Sequence, residues 1–163
     1  NWFRWGEWTN DSATKRHRMY DFVRQMIQFR KDYGAALAPD DYDDVNVDWR
    51  SPYDTHTAGS ADWETRSVLV LYEPQQGQRV AALINMEDHD IDFGVPPGTW
   101  YKVVDTQSWY DTPGSSSESG GWFEEHPDVD PYSSRNIDLG ADSPVDDATY
   151  NVKSRSIVVF VEK

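Results

Sequence analysis

Acidic side chains are the most abundant groups in this sequence that could do chemistry, yet their pattern indicates no catalytic site. Among the 29 Asp and Glu residues, no local pair has the apolar surroundings that raise the pKa of a carboxylic general acid. The serines do not occur in the G-x-S-x-G turn of an activated nucleophile. We therefore assign no catalytic residue and expect no enzymatic activity from this chain alone.

Metal-binding patterns are also missing from the sequence. The chain has no cysteine, which excludes a thiolate zinc site and a disulfide framework. The histidines lack ligand spacing, and they are His17, His56, His89 and His126. Four aspartates at positions 40, 41, 43 and 44 resemble a cation site, but the glycine and distal glutamate of a calcium-binding helix–loop–helix are lacking. We interpret this run as a solvated acidic loop and predict neither a metal nor a cofactor.

Aromatic side chains are the second group of interest, because sugar rings stack on exposed aromatic faces. The chain has eight Trp and nine Tyr. Four of them flank a Gly/Ser-rich, low-complexity segment at 112–121, where no predicted strand requires them. They are Trp109, Tyr110, Trp122 and Tyr132. They have two possible roles, anchoring the long loop or stacking on a sugar chain, and we take Trp109 and Trp122 as candidate carbohydrate contacts.

The first element that positions side chains is a helix near the N-terminus. Asn10, Asp11 and Ser12 offer an N-cap, and Gly34 lies where a C-terminal cap belongs. Five apolar residues between them follow the i, i+3, i+4, i+7, i+8 spacing of one helix stripe. They are Met19, Phe22, Val23, Met26 and Ile27.

An aromatic cluster precedes the helix, formed by Trp2, Phe3, Trp5 and Trp8. So much aromatic surface needs something to pack on. We therefore expect the chain to be the tail of a larger protein that was cut just before its last helix.

The rest of the chain has the pattern of short strands joined by turns. Strands are predicted at 45–49, 66–72, 79–85, 91–93, 100–105, 137–139, 148–152 and 156–162, with a hairpin loop at 73–78 and a turn at 96–98. Because no helix separates these strands, the pattern is typical of an antiparallel β-sandwich or barrel. The predicted fold is thus mainly β, with one N-terminal α-helix followed by an antiparallel β-sandwich.

Composition excludes two classes of partner. With 15 basic and 29 acidic residues the net charge is −14, which argues against a nucleic-acid surface because such surfaces need clustered Lys and Arg. No stretch reaches the apolar length of a membrane span. The compartment stays open.

The order of the motifs resembles a known family. Residues 1–5 (NWFRW) resemble an aromatic segment that follows the last strand of a catalytic (β/α)8 barrel, and residues 22–31 (FVRQMIQFRK) resemble the final barrel helix, F-x-x-x-M-I-x-F-R-K. Both segments resemble the alpha-amylase superfamily of glycoside hydrolases, and most closely its isoamylase and glycogen-debranching branch.

The β region resembles the C-terminal domain of the same family. Residues 45–49 (VNVDW) are similar to its V-x-W strand, and residues 62–67 (DWETRS) to its D-W-x-x-R-S strand entry. Residues 82–106 follow its N-x…F-x-L-P…W-x-x-x-x-D-T series, and residues 154–159 (SRSIVV) are similar to its last strand. Residues 108–134 depart from the family, because they are longer and richer in serine and acid.

The resemblance implies residues 1–34 as the last segment and helix of a catalytic barrel and residues 35–163 as a β-sandwich domain. The parent enzyme would cleave α-1,6 branches or related α-glucosidic bonds of glycogen or starch by a retaining mechanism, with its catalytic carboxylates upstream and no organic cofactor. The helix stripe would then pack against the barrel, with the barrel in the same chain or in a separate one. Trp2 and Trp5 would lie near the active-site loops, where they would either pack against barrel residues or line the outer cleft as candidate carbohydrate contacts.

Other functions stay open at this point. An independent starch- or glycogen-binding module is favoured if Trp109 and Trp122 are exposed and coplanar. A protein-interaction sandwich is favoured if the aromatic N-terminal surface packs on a partner. Without its barrel, the helix stripe would be a large apolar patch, and self-association through it is then expected.

Overall fold

The protein is described by a computed structural model over residues 14–106 and 136–163. It is mainly β, with antiparallel sheets and one long helix at its N-terminal end. The helices are α1 (Thr14–Asp32) and α2 (Gly34–Leu37). The strands are β1 (Val45–Arg50), β2 (Ser67–Pro74), β3 (Val80–Asn85), β4 (Ile91–Gly94), β5 (Trp100–Asp105), β6 (Thr149–Val152) and β7 (Ser156–Glu162).

Five strands form one antiparallel sheet in the order β1-β2-β3-β7-β5, and β4 pairs with β6 in a second, smaller sheet. The last strand therefore lies between β3 and β5. A bulge between Lys102 and Val104 shifts the register of β5 against β7. Because a bulge interrupts the strict alternation of a strand, Val103 and Val104 are both buried in the same core.

One face of the five-stranded sheet packs against the small sheet. Phe93 and Val152 of the small sheet bury against Leu83 and Phe160 of the large one, and all four are fully buried. We call this cluster the inter-sheet core. Apolar residues occupy both faces of β2 and β7, which is why these strands read as nearly continuous apolar runs in the sequence.

A buried asparagine fastens the edge of the inter-sheet core. The side-chain amide of Asn85 donates to the carbonyl oxygens of His89, Val152 and Lys153 at 2.9, 3.0 and 3.1 Å. Its side-chain oxygen accepts a hydrogen bond from the amide of Glu87 at 3.0 Å. Asn85 is fully buried, so these bonds satisfy both ends of an amide that water does not reach.

The opposite face of the sheet packs against α1 and α2. Phe29 of α1 and Ala36 of α2 are buried against Val80, Val103 and Val161. We call this second cluster the helix-side core. Phe22 and Met26 lie half-buried at its margin. The long helix is therefore attached to the β region by a shared core.

The turn before β5 requires glycine. Gly98 has φ +140°, and a Cβ there would meet Glu162 and Arg79. Arg79 occupies this space because its Nη2 donates to the carbonyl oxygen of Pro97 at 3.0 Å and its guanidinium binds both carboxylate oxygens of Glu162. The turn predicted at 96–98 is thus confirmed, and its glycine has a steric reason.

The structure confirms seven of the eight predicted strands and the hairpin between β2 and β3. The strand predicted at 137–139 is wrong. Ile137 forms a single bridge with Val104, and the chain then turns because Asp138 Oδ1 accepts from the amide of Gly140 at 3.0 Å. The predicted cap at Gly34 is also wrong, since Gly34 begins α2 and has no positive φ.

The attachment of α1 can be tested by comparing two substitutions on the helix. Phe29→Ala removes a buried ring from the helix-side core and should lower the free energy of unfolding by about 3–5 kcal/mol. Ile27→Ala, on the exposed side of the same helix, should change it by less than about 0.5 kcal/mol. Urea unfolding of the two variants measures the difference. Equal effects would show that α1 is not packed on the sheet.

Candidate functional site

The four candidate carbohydrate contacts named from the sequence, Trp2, Trp5, Trp109 and Trp122, lie outside the described residues. Their role stays a prediction. Within residues 14–106 and 136–163, exposed apolar side chains gather on α1 and around β1, and these two surfaces are the candidates for function.

The first surface is formed by part of the helix stripe. Phe22 and Met26 face the helix-side core. Met19, Val23 and Ile27 turn away from it and are 62, 47 and 55% exposed. We call these three residues the outer apolar face of α1. The packing of the stripe on a barrel stays a prediction, and the outer apolar face is the part with surface left for a partner.

Polar residues cover the remaining side of α1. Arg24 Nη2 lies 2.7 Å from Asp21 Oδ1, and Gln28 donates to Asp32 Oδ1 at 2.7 Å. Exposed pairs of this kind contribute a few tenths of a kcal/mol to helix stability. The helix thus has one wide apolar surface, of which part is buried and part is exposed, and a polar side.

The second surface combines β1 with the loop that follows it, residues 51–66. Trp49 on β1 and Trp63 on the loop are 41 and 71% exposed. Their ring centroids are 5.6 Å apart and their planes are tilted by 50°. We call them the tryptophan pair. Trp49 lies opposite Val70, and Val70 opposite Ala82 of the helix-side core, so Trp49 is on the face of the sheet that carries α1.

A buried ion pair holds the loop against β1. Asp48 Oδ2 accepts from Arg50 Nε at 2.7 Å, and Asp48 Oδ1 accepts from the amide of Gly59 at 2.7 Å. Arg50 Nη1 donates to the carbonyl oxygen of Thr55 at 2.6 Å. The two charges thus fix the loop at two points, and each is hydrogen-bonded on more than one side, as a buried ion pair requires.

The electrostatics of Asp48 follow from these contacts. Burial alone would raise the pKa of Asp48, but the hydrogen bonds from Arg50 and Gly59 favour its charged form and outweigh burial, so that the pKa is lowered. The carboxylate therefore stays ionised at neutral pH and keeps both loop contacts.

Trp63 sits on its own tight turn within the loop. Asp62 Oδ1 accepts from the amide of Glu64 at 2.9 Å, and Thr65 Oγ1 donates to the carbonyl oxygen of Asp62 at 2.9 Å. Asp62, Glu64 and Thr65 are all exposed. The amide of Ala61 donates to the carbonyl oxygen of Trp49 at 3.2 Å. Trp63 thus lies on a turn whose other side chains are polar, and the adjacent residue Ala61 is hydrogen-bonded to the edge strand.

Sequence reasoning did not identify the tryptophan pair as a surface feature. Residues 45, 47 and 49 are apolar and alternate with polar residues, which indicates a strand with a buried face. In the structure Trp49 is exposed, and Asp48 on the opposite face of β1 is buried instead. The residues named as motifs, VNVDW and DWETRS, carry the two rings, but their proximity depends on the loop contacts of Asp48 and Arg50.

A partly buried polar cluster joins β5 to β6. Lys102 Nζ donates to the Tyr150 hydroxyl at 2.7 Å, and that hydroxyl donates to Asp105 Oδ2 at 3.0 Å. Burial raises the pKa of Tyr150, so the hydroxyl stays neutral and can donate at physiological pH. The three side chains bond one another across the two sheets, and we assign them a structural role.

Acidic groups at the surface do not form a convincing ion site. Among the described residues, the potential metal-ligand atoms of Glu87, Asp88 and His89 lie within 4.8 Å of one another. Glu87 Oε1 accepts from the amide of Arg66 at 2.9 Å, and His89 Nδ1 lies 3.1 Å from Asp88 Oδ1. These contacts stabilise the loop itself. The aspartates at 40, 41, 43 and 44 are exposed.

An open cleft of about 410 Å³ lies beside α2. Its polar side chains include Asp40, Asp44 and Gln75, and the rest of its lining is largely small residues. Gln75 is hydrogen-bonded to the segment that precedes β1. Its backbone amide donates to the carbonyl oxygen of Asp44 at 2.8 Å, and its side-chain amide donates to the carbonyl oxygen of Asp43 at 2.9 Å. We assign the cleft to loop packing.

Comparison with known proteins gives no assignment: no protein-family model matches the chain, and no curated protein matches it. Within the described part of the chain, no helix has both the length and the apolar character needed to cross a membrane.

The Asp48 ion pair makes a prediction about acid pH. Because the pKa of Asp48 is lower in the folded protein than the value of about 3.9 in an unfolded chain, its contribution to stability is complete well above that value and is lost as pH falls through the folded pKa. Order in the loop at 51–66, followed by the indole NMR signals of Trp49 and Trp63, should therefore decrease below about pH 4.

The variant that tests this prediction is Asp48→Asn, which removes the charge and keeps the size of the side chain. Asp54, in the same loop, also has a lowered pKa because of its hydrogen bond with Thr57, so the relevant quantity is the difference between the variant and the wild type. The variant should be less ordered at pH 7 and should lose part of the acid transition. An identical pH profile in both proteins would show that Asp48 does not hold the loop.

Proposed function

We propose that this chain is the C-terminal structural part of an isoamylase-type, α-glucan-debranching glycoside hydrolase, in which α1 and a β-sandwich pack against the catalytic barrel. The order of the family-like motifs supports the proposal. The VNVDW segment coincides with β1, and the DWETRS segment leads into β2. The N-x…F series spans β3 and β4, and the final SRSIVV segment leads into β7.

The observation that carries the proposal is that the apolar surface of α1 is wider than the part that the sheet buries. Phe29 at one edge of this surface is buried in the helix-side core, while Val23 and Ile27 toward its other edge are about half exposed. A helix that packs on a single domain needs only one apolar stripe. The exposed remainder favours a helix that lies between two bodies, as the last helix of a barrel does when a second domain packs on it.

Incomplete burial of the helix-bearing face supports the same arrangement. Val68, Ile84 and Ile157 on this face are half-buried, whereas their neighbours Leu69, Leu83 and Val158 on the other face are fully buried. The two sheets and their inter-sheet core are compatible with a small β-sandwich. A catalytic barrel resting on the helix-bearing face would complete the burial of that face.

The proposed role for this part of the enzyme is structural. Glycoside hydrolysis needs two carboxyl groups that flank the scissile bond, and the family places these on barrel strands upstream of residue 1. The contribution of α1 and the β region would be to cover the barrel and support its loops. This role requires no catalytic residue within the chain.

The proposal predicts a stable complex between this chain and the barrel segment upstream of it in the parent protein. The two halves, co-expressed as separate chains, should purify together in a one-to-one ratio and hydrolyse branched α-glucan. Ile27→Glu should weaken the complex at least tenfold, because it places a charge in the buried interface. Size-exclusion chromatography with mass detection measures the association.

Gln28→Glu is the matched control, because it adds the same charge on the polar side of the same helix turn and removes only the exposed hydrogen bond to Asp32. It should leave the complex intact. Two results would contradict the proposal: a gene that encodes no barrel upstream of residue 1, or two halves that stay separate. Equal weakening by both variants would show that the outer apolar face is not the contact.

A further inference from the structure

We propose that the tryptophan pair is a second protein contact for the body that packs on α1, which is the catalytic barrel if the proposed function, on which this inference rests, is right. We further propose that the two contacts carry charge of opposite sign. Trp49 and Trp63 are 41 and 71% exposed, and tryptophan is enriched among the residues that dominate protein–protein binding energy. Because Trp49 lies on the face of the sheet that carries α1, one body can cover both contacts.

Apolar side chains connect the tryptophan pair with the helix-side core. Trp49 lies opposite Val70 on β2. The next row on the same face consists of Val68, Ile84 and Ile157, which are direct partners across β2, β3 and β7. All three are half-buried, and Ile157 packs against the helix-side core. The apolar surface therefore extends from the helix-side core to the row beside Trp49, as a contact surface that includes both requires.

The helix is positively charged in an otherwise acidic chain. α1 contains six Lys or Arg and two Asp, so its net charge is +4, whereas that of the whole chain is −14. Arg30 lies three residues after Ile27 and seven after Val23, which places it on the side of the outer apolar face. Arg30 is exposed and forms no ion pair with another described residue. The helix dipole favours a cation in this last turn, and a carboxylate on a partner would add a second favourable interaction.

The segment around the tryptophan pair has the opposite charge. Residues 40–66 contain eight Asp or Glu and two Arg, so their net charge is −6. Asp62 and Glu64 flank Trp63 and are exposed, and within the described ranges neither forms an ion pair. A partner that covers both contacts therefore needs carboxylates opposite Arg30 and basic side chains opposite Asp62 and Glu64. Complementary charge of this kind fixes the orientation in which a partner binds.

The loop of the tryptophan pair is held in place before a partner binds. Asp48 and Arg50 fix it against β1. Ser60 Oγ donates to the carbonyl oxygen of Asp54 at 2.6 Å and accepts from the amide of Ser51 at 3.1 Å. Little loop ordering is then left for the binding step, which favours affinity.

The test uses this chain co-expressed with the barrel segment upstream of it. The purified complex is diluted serially, and size-exclusion chromatography with mass detection measures the fraction that stays associated. Trp63→Ala should weaken the complex about tenfold or more. Tyr42→Ala, which removes an exposed ring outside the pair, should behave like the wild type. Trp63 lies on an exposed turn, so its loss should leave the thermal unfolding of the chain unchanged.

The charge of the helix contact is tested by Arg30→Gln. Arg24→Gln is the matched control, because it removes the same charge on the polar side of α1, where Arg24 pairs with Asp21. At about 0.05 M KCl, Arg30→Gln should weaken the complex about threefold or more and Arg24→Gln should not. The difference should disappear at about 1 M KCl, where the Debye length is about 3 Å. Equal effects of the two variants would overturn the proposed charge complementarity.

Glu64→Lys tests the second contact without removing a ring, and it should weaken the complex at low salt. A complex that Ile27→Glu weakens, but that neither Trp63→Ala nor Glu64→Lys weakens, would overturn the second contact and leave the proposed function standing. Two halves that do not associate at all would overturn both. The two failures are therefore distinguished by whether the wild-type complex forms.

Discussion

The packing of Phe29 and its neighbours on the five-stranded sheet is the contact on which the rest of the structure depends. It attaches α1 to the β region through a core shared with β3, β5 and β7. The small sheet of β4 and β6 covers the other face. The position of α1 therefore determines how much of the helix-bearing face is exposed to solvent. The orientation of α1 on that face also decides which apolar residues stay exposed.

The two faces of the sheet differ in how fully their side chains are buried and hydrogen-bonded. On the face toward the small sheet, Asn85 and the cluster of Lys102, Asp105 and Tyr150 satisfy one another or the backbone, as buried polar groups must. On the helix-bearing face, apolar residues extend to the edge strand and end in the tryptophan pair. One face is therefore complete within the described chain, and the other has surface for further contacts.

Sequence patterns predict a strand well where its position follows from local composition. β2, β3 and β7 are runs of β-branched and other apolar residues bounded by turn residues, and each was located to within one or two positions. The strand predicted at 137–139 is wrong because the alternation of Ile137 and Leu139 with Asp138 looks like a strand in the sequence. In the structure only Ile137 pairs, through a single bridge, before the chain turns. The cap predicted at Gly34 is wrong because only Tyr33 separates α1 from α2, so that Gly34 begins the next helix without a positive φ.

The candidate sites depend on information that local patterns do not contain. Helical periodicity predicts the stripe on α1, but it cannot show that Phe22 and Met26 pack against the helix-side core while Met19, Val23 and Ile27 remain exposed. That division depends on where the sheet lies. The order of strands, with β7 between β3 and β5, and the loop contact that brings Trp63 to Trp49 are long-range features of the same kind.

Amide hydrogen exchange of the isolated chain tests most directly whether α1 and the β region are one cooperative unit. The amides from Phe22 to Asp32 should exchange with the same opening free energy as those of β3 and β7, because all three elements share the helix-side core. Exchange of the α1 amides that is orders of magnitude faster than exchange in the sheet would contradict the account, because the helix would then open independently of the β region.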